Sequence, residues 1–351
     1  MLKKKNVGWI ILAVVTLLSF LIVRAFIQNG EFQTIVAQSN YTCKAIEAPY
    51  GAGDLFADYD TGLLYISATP RHLGEYNPSV RGDIYVLNMD DNTYIIELAS
   101  AKFNKSFKPH GISLIKLADG TKRLFVINHV SDSADAVEVF EVNGKKLNHI
   151  KTIGGFETGL NSIVAIDGER FYATQDGHTR GVSGFINGLF KLEYAEIVYY
   201  DGENLQMVAD GFVYANGIEM TQDGNQVYVT DTAKRTLSFY DRDIVTNKLT
   251  KSGDIYLDAG GDNIRRNADG SFLIAGHPKN FSSYFYKNGL YDKAPSVVFN
   301  AIPPKDDKGG ELHAVYLDDG TELSASSGAI RYKNKMYVGS VMDNKILSCV
   351  K

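Results

Sequence analysis

The chain has 351 residues, of which 44% are hydrophobic and 22% charged, a globular composition long enough for one large domain or two ordinary ones. Its formal net charge of -5 comes with no basic stretch beyond the amino terminus, which excludes the phosphate-neutralising surface that nucleic acid requires. With Tyr 21, Phe 18 and Gly 33 against only Pro 8, it reads as all-β, many strands joined by glycine turns.

The first element is a hydrophobic helix. Lys3, Lys4 and Lys5 precede an apolar run from Val7 to Val23, and Arg24 is followed by Ala25, Phe26 and Ile27. A spanning helix needs about 20 apolar residues, so Val7 to Ile27 suffices if Arg24 snorkels to the headgroups. The lysines then stay in the cytoplasm, and everything after residue 30 is expected in the periplasm, a lumen or the extracellular space. No small-x-small cleavage site follows the run, so residues 1–30 read as an uncleaved signal-anchor rather than a secretory signal. Residues 31–42 are polar and weakly patterned and read as a tether, leaving 43–351 as one domain. Cys43 and Cys349 stand at its two ends. In an exported chain a bond between them would tie those ends together, the alternative being two buried thiols.

Short alternating or β-branched runs recur from Leu63 to the end, separated by turn pairs such as Asp-Gly and Asn-Gly, and no long stretch has helical periodicity. Aligned by their turns, they show a repeat. Asn161-Ser-Ile leads through Asp167-Gly to Arg170-Phe-Tyr-Ala-Thr, and Asn216-Gly-Ile leads through Asp223-Gly to Gln226-Val-Tyr-Val-Thr. Further copies start at Asp54, His110 and Asn263, with a weaker one near Ser327. Intervals of about 50 residues fit four-stranded propeller blades, so the sequence predicts one six-bladed β-propeller behind an N-terminal transmembrane helix.

In a propeller the first strand of each blade lines the central channel, so equivalent repeat positions converge on one axis. Here these are Asp54, His110, Asn161, Asn216, and Asp262 with Asn263. Any one of them alone reads first as a turn cap. Their recurrence reads instead as a set of hard oxygen donors, which suits calcium rather than zinc or a redox metal.

The segments Asn104 to Ser113 (containing Pro-His-Gly-Ile-Ser), Leu124 to His129, Leu160 to Ala165, Asp210 to Ile218 (containing Ala-Asn-Gly-Ile), Gly261 to Ile264 and Gly276-His277-Pro278 together resemble the paraoxonase family over almost the whole soluble length. The resemblance implies a calcium-dependent propeller hydrolysing lactones and aryl esters, with a small-molecule lactone or ester as its partner. Carried over by position, it implies calcium held by Asp54, Asn161, Asn216, Asp262 and Asn263, and a histidine pair in which His110 is the base and His129 its support. It also implies a closing disulfide between Cys43 and Cys349. Imidazole suits proton abstraction near neutral pH, although a metal-bound carboxylate such as Asp262 remains an alternative base.

Two departures stand out. Where the family has an acidic pair at the first strand and an Asn-Asp pair in the third blade, this chain has Gly53-Asp54 and Asn161-Ser162. A second, structural calcium is therefore expected to be weakened or absent, and Asp54 belongs to either the catalytic or the structural site. Tyr214, two residues before Asn216 on an alternating strand, is expected to form an apolar wall for substrate. His277 is expected at the channel mouth as a substrate contact, with Asp176-Gly-His178 on the same rim. His72, His149 and His313 carry no functional expectation. The competing readings are a sugar lactonase of the gluconolactonase type and a non-catalytic propeller that presents a binding face or resembles strictosidine synthase.

Overall fold

The computed structural model describes residues 4–74, 77–177, 186, 188–303 and 310–351. Its β-structure is six antiparallel sheets following one another along the chain. Blade 1 comprises Ala52–Asp58, Leu63–Ala68, Asp83–Asn88 and Ile96–Leu98, and blade 2 Pro109–Lys116, Lys122–His129, Ala134–Asn143 and Lys146–Glu157. Blade 3 comprises Leu160–Ala165, Phe171–Gln175, Ala195–Tyr200 and Leu205–Phe212, and blade 4 Ala215–Met220, Gln226–Asp231, Thr236–Arg242 and Leu249–Tyr256. Blade 5 runs through Gly260–Arg266, Phe272–His277, Ser296–Ile302 and Glu311–Asp318, with Gln38–Ser39 added at its edge.

Blade 6 takes three strands from the carboxyl-terminal end, Ser326–Tyr332, Lys335–Ser340 and Lys345–Val350, and its outermost strand, Thr42–Glu47, from the other end. Cys43 lies directly opposite Cys349 in that last pairing, and the two form a disulfide across a sequence separation of 306 residues. The ring is thus closed both by a β-ladder and by a covalent bond.

The burial of the strands explains their sequences. The first two strands of most blades are buried on both faces, as in Leu63–Ala68 and Leu160–Ala165, because each sheet is packed between two others. Six apolar clusters fill the six blade interfaces, for example Leu55, Leu64 and Ile66 against Ile330 and Tyr337 where blade 1 meets blade 6. Outer strands such as Leu249–Tyr256 return to an alternating or exposed pattern.

Helix α1, Lys4–Gln28, contains a candidate membrane span at Gly8–Gln28, with side chains exposed along most of that length. Its carboxyl end is not detached from the propeller. Phe26 packs on Phe281 at 5.0 Å between ring centroids, and Glu31 caps helix α2 (Asn280–Lys287) by accepting from the Phe281 and Ser282 amides at 2.7 and 3.2 Å. Between them Gly30, at φ +76°, passes so near blade 5 that a Cβ there would lie 2.3 Å from the Pro278 carbonyl oxygen. The segment 31–42, read from the sequence as a tether, is held further by Gln33 donating to Asp258 and by Gln38–Ser39 pairing with Leu317 and Tyr316.

Candidate active site at the mouth of the channel

The six innermost strands begin on one face of the propeller, and it is there that the repeat places its polar residues. Glycines set how closely the blades approach. A Cβ on Gly111 would lie 2.5 Å from the Asn161 carbonyl oxygen, and one on Gly217 2.5 Å from that of Asp262 and 2.8 Å from the Asn263 Cα. Gly328 stands in the same relation to Gly53, at 2.8 Å from its carbonyl oxygen. Blades 2, 4 and 6 therefore use a bare backbone to press against the polar residues of blades 3, 5 and 1. Gly217→Ala is expected to cost roughly 1–3 kcal/mol of stability through this overlap, read from the denaturant midpoint. Gly154→Ala, whose Cβ meets nothing within 4 Å, is the control.

Threonines at the ends of second strands join the blades. Thr69, Thr174 and Thr230 donate from their hydroxyls to the carbonyls of Pro109, Asn216 and Asp262, each in the next blade, at 2.8, 2.5 and 2.7 Å. This accounts for the threonine that closes the Tyr-Ala-Thr and Tyr-Val-Thr copies of the repeat.

Each of the three amide side chains donates from its nitrogen. Asn161 donates from Nδ2 to the Tyr214 hydroxyl at 3.5 Å, Asn216 to the Thr232 hydroxyl at 3.0 Å and Asn263 to the Gly53 carbonyl at 3.4 Å. Each nitrogen is thereby engaged, while the three Oδ1 atoms are buried without a hydrogen-bond partner. Buried amide oxygens left so are costly; Asn161 and Asn216 stand at matching positions, two before Ile163 and Ile218, where blade 5 carries Asp262 with Asn263 next to it. Asp262 adds the one carboxylate. Its Oδ2 lies 3.0 Å from His277 Nε2. His277 itself is buried, and that burial, with the charge of Lys287 nearby, lowers its pKa below the ordinary histidine value. Its Nε2 is placed to hold the Asp262 carboxylate. Among the described residues no three His, Cys, Asp or Glu side chains gather as a metal site.

Asp54, expected from the sequence as a ligand of either the catalytic or the structural ion, is paired with an arginine. Its Oδ1 accepts from the Leu55 amide at 2.9 Å, and its Oδ2 accepts from the Ile112 amide at 2.8 Å and from the Arg265 guanidinium. Arg265 and Asp54 are each only 1% exposed. The same guanidinium donates to the carbonyls of Leu55, Ile112 and Ile264 at 3.0, 2.9 and 3.0 Å, so an arginine supplies the positive charge in this part of the channel. Asp54 was placed on the axis by the repeat, but its partner lies on the strand of Asn263, where alternation carries Arg265 to the same side.

On the blade 2 side, His110 and His129 are in contact. His110 Nδ1 lies 2.6 Å from His129 Nε2; His110 is half-buried and His129 is buried behind it. A third group was not foreseen: Asp135, whose Oδ1 is 2.8 Å from His129 Nδ1. The run Ser131-Asp132-Ser133-Ala134-Asp135 offers two aspartates, and nothing in their spacing selects the second. Tyr214 bridges blades 3 and 4 through its contact with Asn161, and His178 lies outside the described residues.

Residues 41–350 match the protein family described as Arylesterase. The chain is 30% identical over 305 residues to human serum paraoxonase/arylesterase 1, covering 82% of each, and 29% identical over 331 residues to rabbit serum paraoxonase/lactonase 3, covering 92% of each. Among solved structures, a luciferin-regenerating enzyme superposes with a TM-score of 0.57 at 11% identity, covering 89% of this chain and 96% of that one. A gluconolactonase from Xanthomonas campestris superposes with a TM-score of 0.53 at 14% identity, covering 89% of this chain and 90% of that one. At such identities these two likenesses establish the propeller fold alone.

Proposed function

The chain belongs to the arylesterase family of paraoxonases and is an ester hydrolase, and from that premise we propose that it hydrolyses lactones and aryl esters with one calcium ion held by Asn161, Asn216, Asp262 and Asn263. The observation that carries this reading is the trio of buried, unpartnered amide oxygens beside a single carboxylate. Bound there, calcium would polarise the substrate carbonyl and offset the negative charge that develops on its oxygen.

The protein's own groups supply the rest. Tyr214, Thr232 and the Gly53 carbonyl engage the nitrogens of the three amides, leaving their oxygens for the ion, and His277 holds Asp262. His110, more open than His129, takes the proton of the attacking water and returns it to the leaving oxygen. Tyr214 offers a ring surface to the substrate alongside this contact. We assign the Arg265 guanidinium the charge-balancing place that a second, structural cation has in the family, so a single calcium is expected.

The docked end of α1 bears on location. Residues 25–33 are built into the packing around α2, which supports retention of the helix as an anchor and an extracytoplasmic propeller. The deciding experiment is hydrolysis of a medium-chain lactone and of phenyl acetate by the full chain in detergent, with calcium, with chelator and with calcium restored. Activity that is lost and then recovered is the expected result. Calcium binding without turnover of either compound would leave a binding propeller.

A further inference from the structure

We propose that Asp135 is the positioning residue of a three-membered relay, Asp135–His129–His110, that fixes the tautomers of both imidazoles and leaves the lone pair of His110 on Nε2. The inference deepens the hydrolase reading and rests on it for the role of His110, but the geometry is independent of substrate.

Asp135 is the second residue of the third strand of blade 2 and is 1% exposed. Its Oδ2 accepts two backbone N–H groups, from Gly159 at 2.8 Å and Leu160 at 2.9 Å. Its Oδ1 faces His129 Nδ1 at 2.8 Å. A carboxylate has only acceptor sites to offer, so the proton in that contact belongs to His129 Nδ1. His129 Nε2 then carries a lone pair and accepts from His110 Nδ1–H across 2.6 Å. One proton at His110 Nδ1 leaves Nε2 of that ring as the basic nitrogen. The order along the relay is set at its buried end, since two backbone amides can donate but cannot accept.

The chemistry closes without a further reactant. A proton passes from water to His110 Nε2, the water oxygen bonds to the carbonyl carbon, the ester C–O bond breaks, and the leaving oxygen takes that proton. A positive charge on His110 during this cycle is shared through His129 with the Asp135 carboxylate.

Asp135 also has a second consequence. The amides it holds immediately precede Asn161, so the same side chain ties the histidine pair to the strand carrying a candidate ligand. An asparagine separates the two effects. In Asp135→Asn the side-chain oxygen must face the Gly159 and Leu160 amides, which turns its NH2 towards His129 Nδ1. His129 must then accept at Nδ1 and carry its proton on Nε2, reversing the relay. An alanine removes both functions.

The experiment compares wild type, Asp135→Asn and Asp135→Ala for calcium affinity, kcat and KM on phenyl acetate, and imidazole 15N shifts. For Asp135→Asn, calcium affinity and KM are expected to stay near wild type while kcat falls roughly 10²- to 10⁴-fold, with the His129 proton moved to Nε2. Asp135→Ala is expected to lose calcium affinity as well. Wild-type kcat in Asp135→Asn would overturn the proposal, as would a loss of calcium affinity in that variant matching Asn161→Ala, which would make Asp135 a structural prop only. Should Asp135→Asn fail to fold, the 15N shifts of the wild-type protein decide, and a proton on His110 Nε2 with none on Nδ1 overturns the relay. A wild type that turns over no ester would defeat the hydrolase reading while those shifts still report on the relay.

Discussion

Arg265→Met is expected to destabilise the propeller by about 3–5 kcal/mol, the cost typical of stripping one partner from a buried ion pair. Asp54 would keep its two amide donors but lose the guanidinium, and its desolvation would no longer be opposed by a nearby positive charge. Burial already raises the Asp54 carboxyl above its ordinary pKa, with Arg265 the largest opposing influence. Without Arg265 the folded-state pKa rises further. The sign follows from linkage: the folded state binds a proton that the unfolded chain releases, so the variant loses stability as pH rises through that elevated value and is least impaired on its acid side. Denaturant midpoints at pH 5 and pH 8 check this, the larger deficit being expected at pH 8. Asp54→Leu combined with Arg265→Met should recover most of the loss, because an apolar pair carries no uncompensated charge. A single variant as stable as wild type at both pH values would show that the guanidinium does not hold the blades together.

How much of this was legible beforehand depends on the range of the interaction. The blade repeat was readable because turn glycines and strand alternation are local, and the copies starting at Asp54, His110, Asn161, Asn216 and Asn263 all fall in innermost strands. The closing disulfide joins residues whose positions at the two ends of the domain already singled them out. Local pattern cannot say where a carboxylate is consumed. Asp54 has the same surroundings in sequence as a ligand, and its partner Arg265 lies 211 positions away. Asp135 is hidden for a similar reason, since its partners His129, Gly159 and Leu160 come from two blades. The docked end of α1 escaped notice because Glu31 caps a helix that lies 250 residues further on.

Asp262→Ala is expected to abolish calcium binding and to lower kcat/KM for phenyl acetate by about 10³-fold or more, since several kcal/mol of transition-state stabilisation depend on the ion. Asp262 is the only charged side chain in the proposed set, whereas Asn161, Asn216 and Asn263 contribute neutral oxygens. Charge dominates affinity for a hard divalent cation, so Asn216→Ala should weaken binding less, and excess calcium should restore part of its activity. Asp262→Asn keeps an oxygen but loses the charge and sets an amide against His277 Nε2, so it should fall between the two. His110→Gln supplies the contrast, because His110 makes its contact with His129 and not with the amides. It should bind calcium as wild type does and remain slow at any calcium concentration. Isothermal titration with calcium beside initial rates across a calcium series separates the cases: the ligand variants shift along the calcium axis, and His110→Gln only lowers the plateau. If Asp262→Ala, freed of metal, still hydrolysed phenyl acetate at the wild-type rate, the carbonyl would be activated by protein groups alone, and the three buried amide oxygens would need another explanation.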